Sequence, residues 1–321
     1  MIKIGIDVMG GDYAPENTIL GALEAYHQLK ERATLVLLGK KDLITGMAED
    51  KGFDPGNFII YDTRESIGMG DHPVNSFRTN IDSSMVVGFN LLKEKKIDVF
   101  ASAGNTGAML TGSTLTQPMI EGVTRPCISV NIPQTDGTEA ILLDVGFNSD
   151  CNPEQLLQFA ILGMVYAKIG MKRAEPRVAL LNIGEEPQKG SLLTKESYKL
   201  LSRSENINFI GNIEADSIFS GKCDIIVTDG FTGNVILKEI EGMFTALSSM
   251  NIKNKYLDRF NYELYGGTPV LGIDSNVIIG HGASSPKAIT SMIMQALSNV
   301  ENNLTGKMKQ QLYHEFKRTK T

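Results

Sequence analysis

Six times along the chain a short apolar run ends in glycine and small polar residues and then gives way to a helical pattern. These junctions read IKIGIDVMGGD (2–12), DVFASAGNTGA (98–108), AILLDVGFNSD (140–150), VALLNIGEE (178–186), DIIVTDGFTGN (224–234) and NVIIGHGAS (276–284). Each run has strand length, and several are apolar at successive positions, as strands covered on both faces are. Strands alternating with helices predict an α/β fold, a three-layer α/β/α sandwich with a largely parallel central sheet. Asn152 is expected to cap a helix that has Pro153 at its first position and Glu154 in its first turn, and that stops at Gly170. From about 286, Ala288, Ile289, Met292, Ile293, Ala296, Leu297 and Val300 follow Ser285 and Pro286 at helical spacing, which predicts a C-terminal helix packed on the sheet. The stretch 248–267 departs from the pattern and reads as an irregular, lysine-containing excursion within one α/β/α body, with two lobes, over 1–321.

Composition narrows the class. Of 321 residues, 42% are apolar and 21% charged, which are globular values. The 31 Lys and Arg against 37 Asp and Glu leave a net charge of −6, which argues against a partner bound by neutralising nucleic-acid phosphates. Cys127, Cys151 and Cys223 lie far apart with no CxxC, so a zinc ribbon is excluded and reduced, mostly buried thiols are expected. No run approaches the ~18–20 apolar residues of a membrane span. The start, MIKIGIDVMGGD, lacks the regions of a signal peptide. A cytoplasmic protein is expected, with peripheral membrane contact at most.

In open α/β sheets, ligands bind beyond the carboxyl ends of the strands, where helix N-termini offer unpaired N–H groups to anions. Gly104, Asn105, Thr106 and Gly107 form one such turn; Gly230, Thr232, Gly233 and Asn234 lie in another. Their glycines admit an anion to the backbone, and the Asn and Thr side chains add donors. His281, between two glycines, ends another strand, and Lys189 lies beside Gly190 in the loop GEEPQKGS. Asp7, Asp144 and Asp229 also sit at strand ends. They either cap helices and orient cations or supply oxygen ligands to a divalent metal. There is no GxxxxGK[ST], no GxGxxG after the first strand, no GxSxG and no HExxH, so common nucleotide, nucleophile and zinc motifs are missing.

Ten blocks, in order, carry a resemblance: IGIDVMGGDYAPE, HPVNSFR with DSSM, ASAGNTGA, LLDVGFN, NPEQLLQFA, LLNIGEEPQKG, NFIGNIEA, VTDGFTGNVILK, YGGTPVLG and HGASS. Together, from Ile4 to about Val300, the chain resembles the phosphate acyltransferases of bacterial phospholipid synthesis. The resemblance implies an isopropylmalate-dehydrogenase-like and phosphotransacetylase-like fold, a homodimer, and transfer of a long-chain fatty acyl group from acyl carrier protein to inorganic phosphate. It implies no cofactor and no metal. It carries Lys189 and Asn234 into the reaction centre; Asp7, Asp229 and His281, from their strand ends, and Arg78 are expected in support. Where the family usually has lysines after Arg78, this chain has Thr79, Asn80 and Ile81. The resemblance implies a helical excursion at 243–262, linked in relatives to membrane and carrier contact and shorter in this chain, and a downstream membrane glycerol-3-phosphate acyltransferase as partner. An acidic carrier meeting an acidic chain needs a local basic surface, and Lys253, Lys255 and Arg259 are the expected one. A second basic cluster, Lys307, Lys309, Lys317, Arg318 and Lys320, closes the chain. The competing readings are a short-chain acyl-CoA phosphotransacylase on the same fold, a metal- and NAD-dependent decarboxylating dehydrogenase, and a non-catalytic membrane-associated scaffold.

Overall fold

A computed structural model describes residues 1–318, without the side chains of Tyr262 and residues 316–318. Lys320 and the side chains of Lys317 and Arg318 in the terminal basic cluster therefore lie outside the described residues. The chain divides into two compact units, 1–118 with 262–305, and 119–261 with the segment from 306 onward.

In the first unit, β1 (Ile2–Asp7), β2 (Ala33–Gly39), β3 (Ile59–Asp62), β4 (Val99–Ser102), β10 (Thr268–Leu271) and β11 (Asn276–Ile279) lie in the order β3-β2-β1-β4-β11-β10. All pairs are parallel except β10 with β11. Alternation along β4 explains why both faces need cover. Val99 and Ala101 join Ile4, Ile6 and the buried stripes of α1 (Glu16–Leu29) and α10 (Pro286–Glu301) in one core. Phe100 points the other way, against Phe89 of α4 (Ser84–Lys93), ring centroids 5.1 Å apart, and Phe89 in turn meets Phe77 of α3 (Pro73–Thr79) at 5.7 Å. Each buried ring contributes roughly 1.5–3 kcal/mol of transfer free energy, with about 0.5–1.5 kcal/mol more per edge-to-face pair. The α10 helix starts as expected, with the Ser285 hydroxyl accepting from Ala288 N.

The second unit holds β5 (Cys127–Pro133), β6 (Glu139–Leu143), β7 (Arg177–Leu181), β8 (Asn208–Ile213) and β9 (Ile225–Val227), ordered β5-β6-β9-β7-β8. Only the β5–β6 hairpin is antiparallel. The expected helix after Asn152 is α6 (Pro153–Gly170), opened by a full capping box with Gln155. Its buried face packs on β6 and β9, where Gly163 leaves room for Leu143 and Ile225.

After β9, α8 (Gly230–Ser249) carries the chain well into the region expected as an excursion, and a single further turn, α9 (Lys255–Asp258), follows. This excursion is anchored. The Tyr256 hydroxyl donates to Pro133 O (3.0 Å), and the Arg259 guanidinium donates to Gln134 O (3.1 Å) and Thr138 O (2.6 Å) at the β5–β6 turn. By contrast, only Gly230 and Gly233 of α8 are buried, and Phe231, Val235 and Met243 are 67%, 53% and 56% exposed.

Candidate active site

The first unit gathers polar residues where β1 and β4 end. Asp7 is buried, and its carboxylate accepts from Ser84 Oγ (2.5 Å), Ser102 Oγ (2.6 Å) and Met9 N (3.1 Å). Ser102 Oγ also accepts from Gly104 N (2.9 Å), so the carboxylate fixes the turn into α5 (Thr106–Thr116) through the serine. Asp7 thus organises backbone. Burial pushes its carboxyl above the ordinary 3.8, and the hydroxyls and N–H groups offset this only in part.

A carboxyl raised on folding holds its proton more tightly in the native state. It favours folding at acidic pH, and that contribution is lost as pH rises from about 3.8 through the raised value. Asp7→Asn cannot ionise and should flatten this part of the profile. Urea midpoints are the measurement: as pH rises above about 3.8 the parent should lose stability relative to the variant. Parallel profiles would mean that the Asp7 carboxyl does not titrate in this window.

Asn105 caps α5, its Oδ1 accepting from Ala108 N (3.0 Å). Its Nδ2 donates to the carbonyls of Gly68 (3.1 Å), Met69 (3.2 Å) and Asp71 (3.1 Å). The amide expected to face an anion is thus spent on tying down the 68–71 loop. What α5 does offer are the N–H groups of Thr106 and Gly107, which have no partner among the described residues. Gly107 is glycine for a packing reason: a Cβ there would lie 2.5 Å from Pro73 Cγ at the start of α3. His281 Nδ1 accepts from Ala283 N (3.1 Å) and its carbonyl from Ser284 N (3.0 Å), which shapes the turn before α10. Arg78 projects, exposed, from the last turn of α3.

In the second unit three neighbouring strands, β6, β9 and β7, end side by side. Beyond β6, Asp144 is fully buried and accepts from Ile128 N (3.0 Å), Phe147 N (3.4 Å), Asn148 N (2.6 Å) and Asn148 Nδ2 (2.9 Å). Burial pushes this carboxyl up as well, against those four donors. The loop it fixes receives α8, since Asn148 O accepts from Gly230 N (2.8 Å). A Cβ on Gly233 would lie 1.9 Å from Asp144 O, so this close approach requires glycine. Asp229 caps α8, accepting from Thr232 N (2.8 Å) and Thr232 Oγ1 (2.9 Å). Gly230 N, Thr232 N and the Thr232 hydroxyl, three of the donors expected for an anion, are therefore committed internally.

Two of the donors expected in this unit stay free among the described residues. Asn234, in the first turns of α8, is exposed, and its amide makes no hydrogen bond among the described residues. Lys189 projects from the loop 182–191 after β7, exposed, with no ion pair to its ammonium among the described residues. The two lie beyond the adjacent parallel strands β9 and β7. Burial pushes Cys151 and Cys223 up to about 12, where each stays a neutral thiol. Sequence reasoning passed over Ser84, Ser102, Asn148 and Asn182, whose side chains hold the strand-end turns. Asn148 and Asn182 sit inside the blocks LLDVGFN and LLNIGEEPQKG, and that was the signal available.

Comparison with known proteins adds three findings. A family model described as "Fatty acid synthesis protein" matches residues 2–307. The phosphate acyltransferase of Syntrophomonas wolfei is 42% identical over 90% of this chain and 91% of its own, and that of Caldicellulosiruptor saccharolyticus is 40% identical over 97% and 98%. Among solved structures, a phosphotransacetylase from Streptococcus pyogenes aligns with a TM-score of 0.66 at 16% identity over 94% of both chains. A branched-chain phosphotransacylase from Enterococcus faecalis aligns at 0.57 and 15%, covering 94% of this chain and 100% of its own. These two likenesses establish the fold, in accord with the expected phosphotransacetylase-like α/β architecture.

Proposed function

The chain belongs to the phosphate acyltransferase family, and from that premise we propose that it moves a long-chain fatty acyl group from acyl carrier protein to inorganic phosphate, supplying acyl-phosphate to phospholipid synthesis. The observation that carries the residue-level reading is the pair of uncommitted donors, Lys189 and Asn234, beyond two adjacent parallel strands.

The chemistry suits a site without a protein nucleophile. A phosphate oxygen attacks the thioester carbonyl and forms a tetrahedral oxyanion. Collapse breaks the C–S bond, the carrier leaves as thiolate, and the acyl group stays on phosphate. A thiol of pKa near ~8.5 departs without much acid assistance. The protein's work is then orientation, which supplies up to roughly 7–11 kcal/mol, and oxyanion stabilisation, about 3–4 kcal/mol per good donor. The Lys189 ammonium neutralises phosphate, and the Asn234 amide donates to phosphate or to the oxyanion. Incubating long-chain acyl-carrier protein with phosphate and trapping acyl-phosphate with hydroxylamine tests the reading. Trapped hydroxamate that depends on phosphate supports it, and carrier binding without product overturns it.

The exposed apolar side chains of α8, Phe231, Val235 and Met243, support a homodimer in which a second copy covers that helix. For carrier docking, Lys253 and Lys255 are exposed, whereas Arg259 is engaged with main-chain carbonyls, so the lysines are the cleaner probe. Lys253→Glu with Lys255→Glu should raise the carrier KM severalfold at low salt and flatten its salt dependence, with any acyl-CoA turnover changed much less. An unchanged carrier KM at low salt would move docking elsewhere.

A further inference from the structure

The loop that carries Lys189 is held by side chains that no substrate needs to touch. Asn182, at the end of β7 and 9% exposed, uses both ends of its amide on it. Its Oδ1 accepts from Ile183 N (2.9 Å), where the loop leaves the strand, and its Nδ2 donates to Lys189 O (3.1 Å), where the loop returns. The Lys189 N–H donates to Glu186 O (3.1 Å), and Asn212 of the neighbouring β8 donates from Nδ2 to the same Glu186 carbonyl (3.0 Å). Gly190, at φ +95°, closes the turn, and a Cβ there would lie 2.1 Å from Asn182 Oδ1. The lysine stem lies against Gly184, whose Cβ would sit 2.9 Å from Lys189 Cγ. Backbone on both sides of the Lys189 Cα is thus pinned, and a flexible four-carbon stem is left to place one ammonium.

We propose that Asn182 is the positioning residue of the phosphate acyltransferase reaction, its carboxamide fixing the main chain from which Lys189 reaches phosphate; this rests on the role given to Lys189 above. An amide suits the task because it alone supplies one acceptor and one donor about 2 Å apart on a short side chain. Asn212 is a second strut on the same loop.

The test is a double-mutant cycle on the full chain, read as kcat and as phosphate and carrier KM, with Asn182→Ala, Lys189→Ala and both together. Losing the Nδ2–Lys189 link should cost about three- to tenfold in kcat with carrier KM unchanged. In the Lys189→Ala background the same change should cost almost nothing, because there is no ammonium left to misplace. Equal losses in both backgrounds would mean a structural role only and overturn the proposal. Full activity of Asn182→Ala beside a damaged Lys189→Ala would overturn it while leaving Lys189 in the mechanism. Full activity of Lys189→Ala itself would overturn both. Should Asn182→Ala fold poorly, Asn182→Asp keeps the acceptor for Ile183 N and sets a charged carboxylate oxygen, in place of the donor, against Lys189 O. It should show the same kcat loss and the same dependence on Lys189, and wild-type kcat in Asn182→Asp would overturn the proposal.

Discussion

Lys189→Ala should lower turnover about ten- to hundredfold and leave the melting temperature where it was. The two halves of this expectation have separate causes. The side chain is exposed and its ammonium has no ion pair among the described residues, so its removal breaks no ion pair there. Surface changes of that kind usually stay within about 0.5 kcal/mol. Against phosphate the same ammonium makes a charge-assisted hydrogen bond, worth roughly 1.5–3 kcal/mol when lost. At about 1.4 kcal/mol per decade this is the stated factor in rate. The loss should appear in kcat as well as in phosphate KM, since charge on phosphate and on the forming oxyanion both fall within reach of a cation. Steady-state hydroxamate trapping with long-chain acyl-carrier protein measures it. A soluble, normally melting variant with parental turnover would remove Lys189 from the chemistry. Lys189→Arg separates charge from shape, because a guanidinium keeps the positive charge and spreads it over a wider fork.

Local periodicity was enough to read six of the strands and the helices after Asn152 and Ser285, and not enough to read what the glycine turns are for. The runs around Ile4, Val99, Leu142, Val178, Ile225 and Val277 are buried at successive positions, and such runs announce themselves. The caps at Asn152 and Ser285 are equally local, since donor and acceptor lie within one turn. The turn chemistry is different in kind. Asn105 looks like a donor beside an anion, yet its amide is consumed by carbonyls 34 to 37 residues earlier in the chain. Thr232 is consumed by Asp229, which caps the helix as one of the two sequence readings proposed. Gly107 and Gly233 look like space for phosphate, and they are space for Pro73 and for the Asp144 carbonyl. Arg259 reads as a surface cation and is bound to the carbonyls of Gln134 and Thr138. In each case the competing partner is distant in sequence, and only the sheet order brings it close. Of the expected side-chain donors in the second unit, those of Lys189 and Asn234 remained free among the described residues. The sequence blocks had pointed to those two, although spacing alone gave no reason to prefer them to Thr232 or Asn105.

Asp144→Ala should be the most destabilising of the changes considered, by at least about 3 kcal/mol. The carboxylate is fully buried at the end of β6 and answers the N–H groups of Ile128, Phe147 and Asn148 together with the Asn148 amide. Alanine leaves the three main-chain donors without it. Each stranded buried donor costs roughly 1–3 kcal/mol, and only part is returned by no longer burying a carboxyl that the site pushes up in pKa. Asp144→Asn keeps the volume and one acceptor but turns an NH2 toward an N–H, and should cost less, about 1–3 kcal/mol. Urea midpoints should therefore fall in the order parent, Asp144→Asn, Asp144→Ala. Function should suffer beyond the loss of folded protein, because the loop that Asp144 fixes is the seat of α8. Asn148 O holds Gly230 N at 2.8 Å, and the Asn234 side chain lies over Gly146, whose Cβ would sit 3.4 Å from Asn234 Oδ1. With the loop released, Asn234 loses its fixed bearing, and kcat measured well below the melting temperature should drop in the same order as the midpoints. If Asp144→Ala melts like the parent, the carboxylate does not hold the loop. If it melts early while its folded fraction turns over normally, the seat of α8 matters to stability alone and Asn234 is positioned by something else.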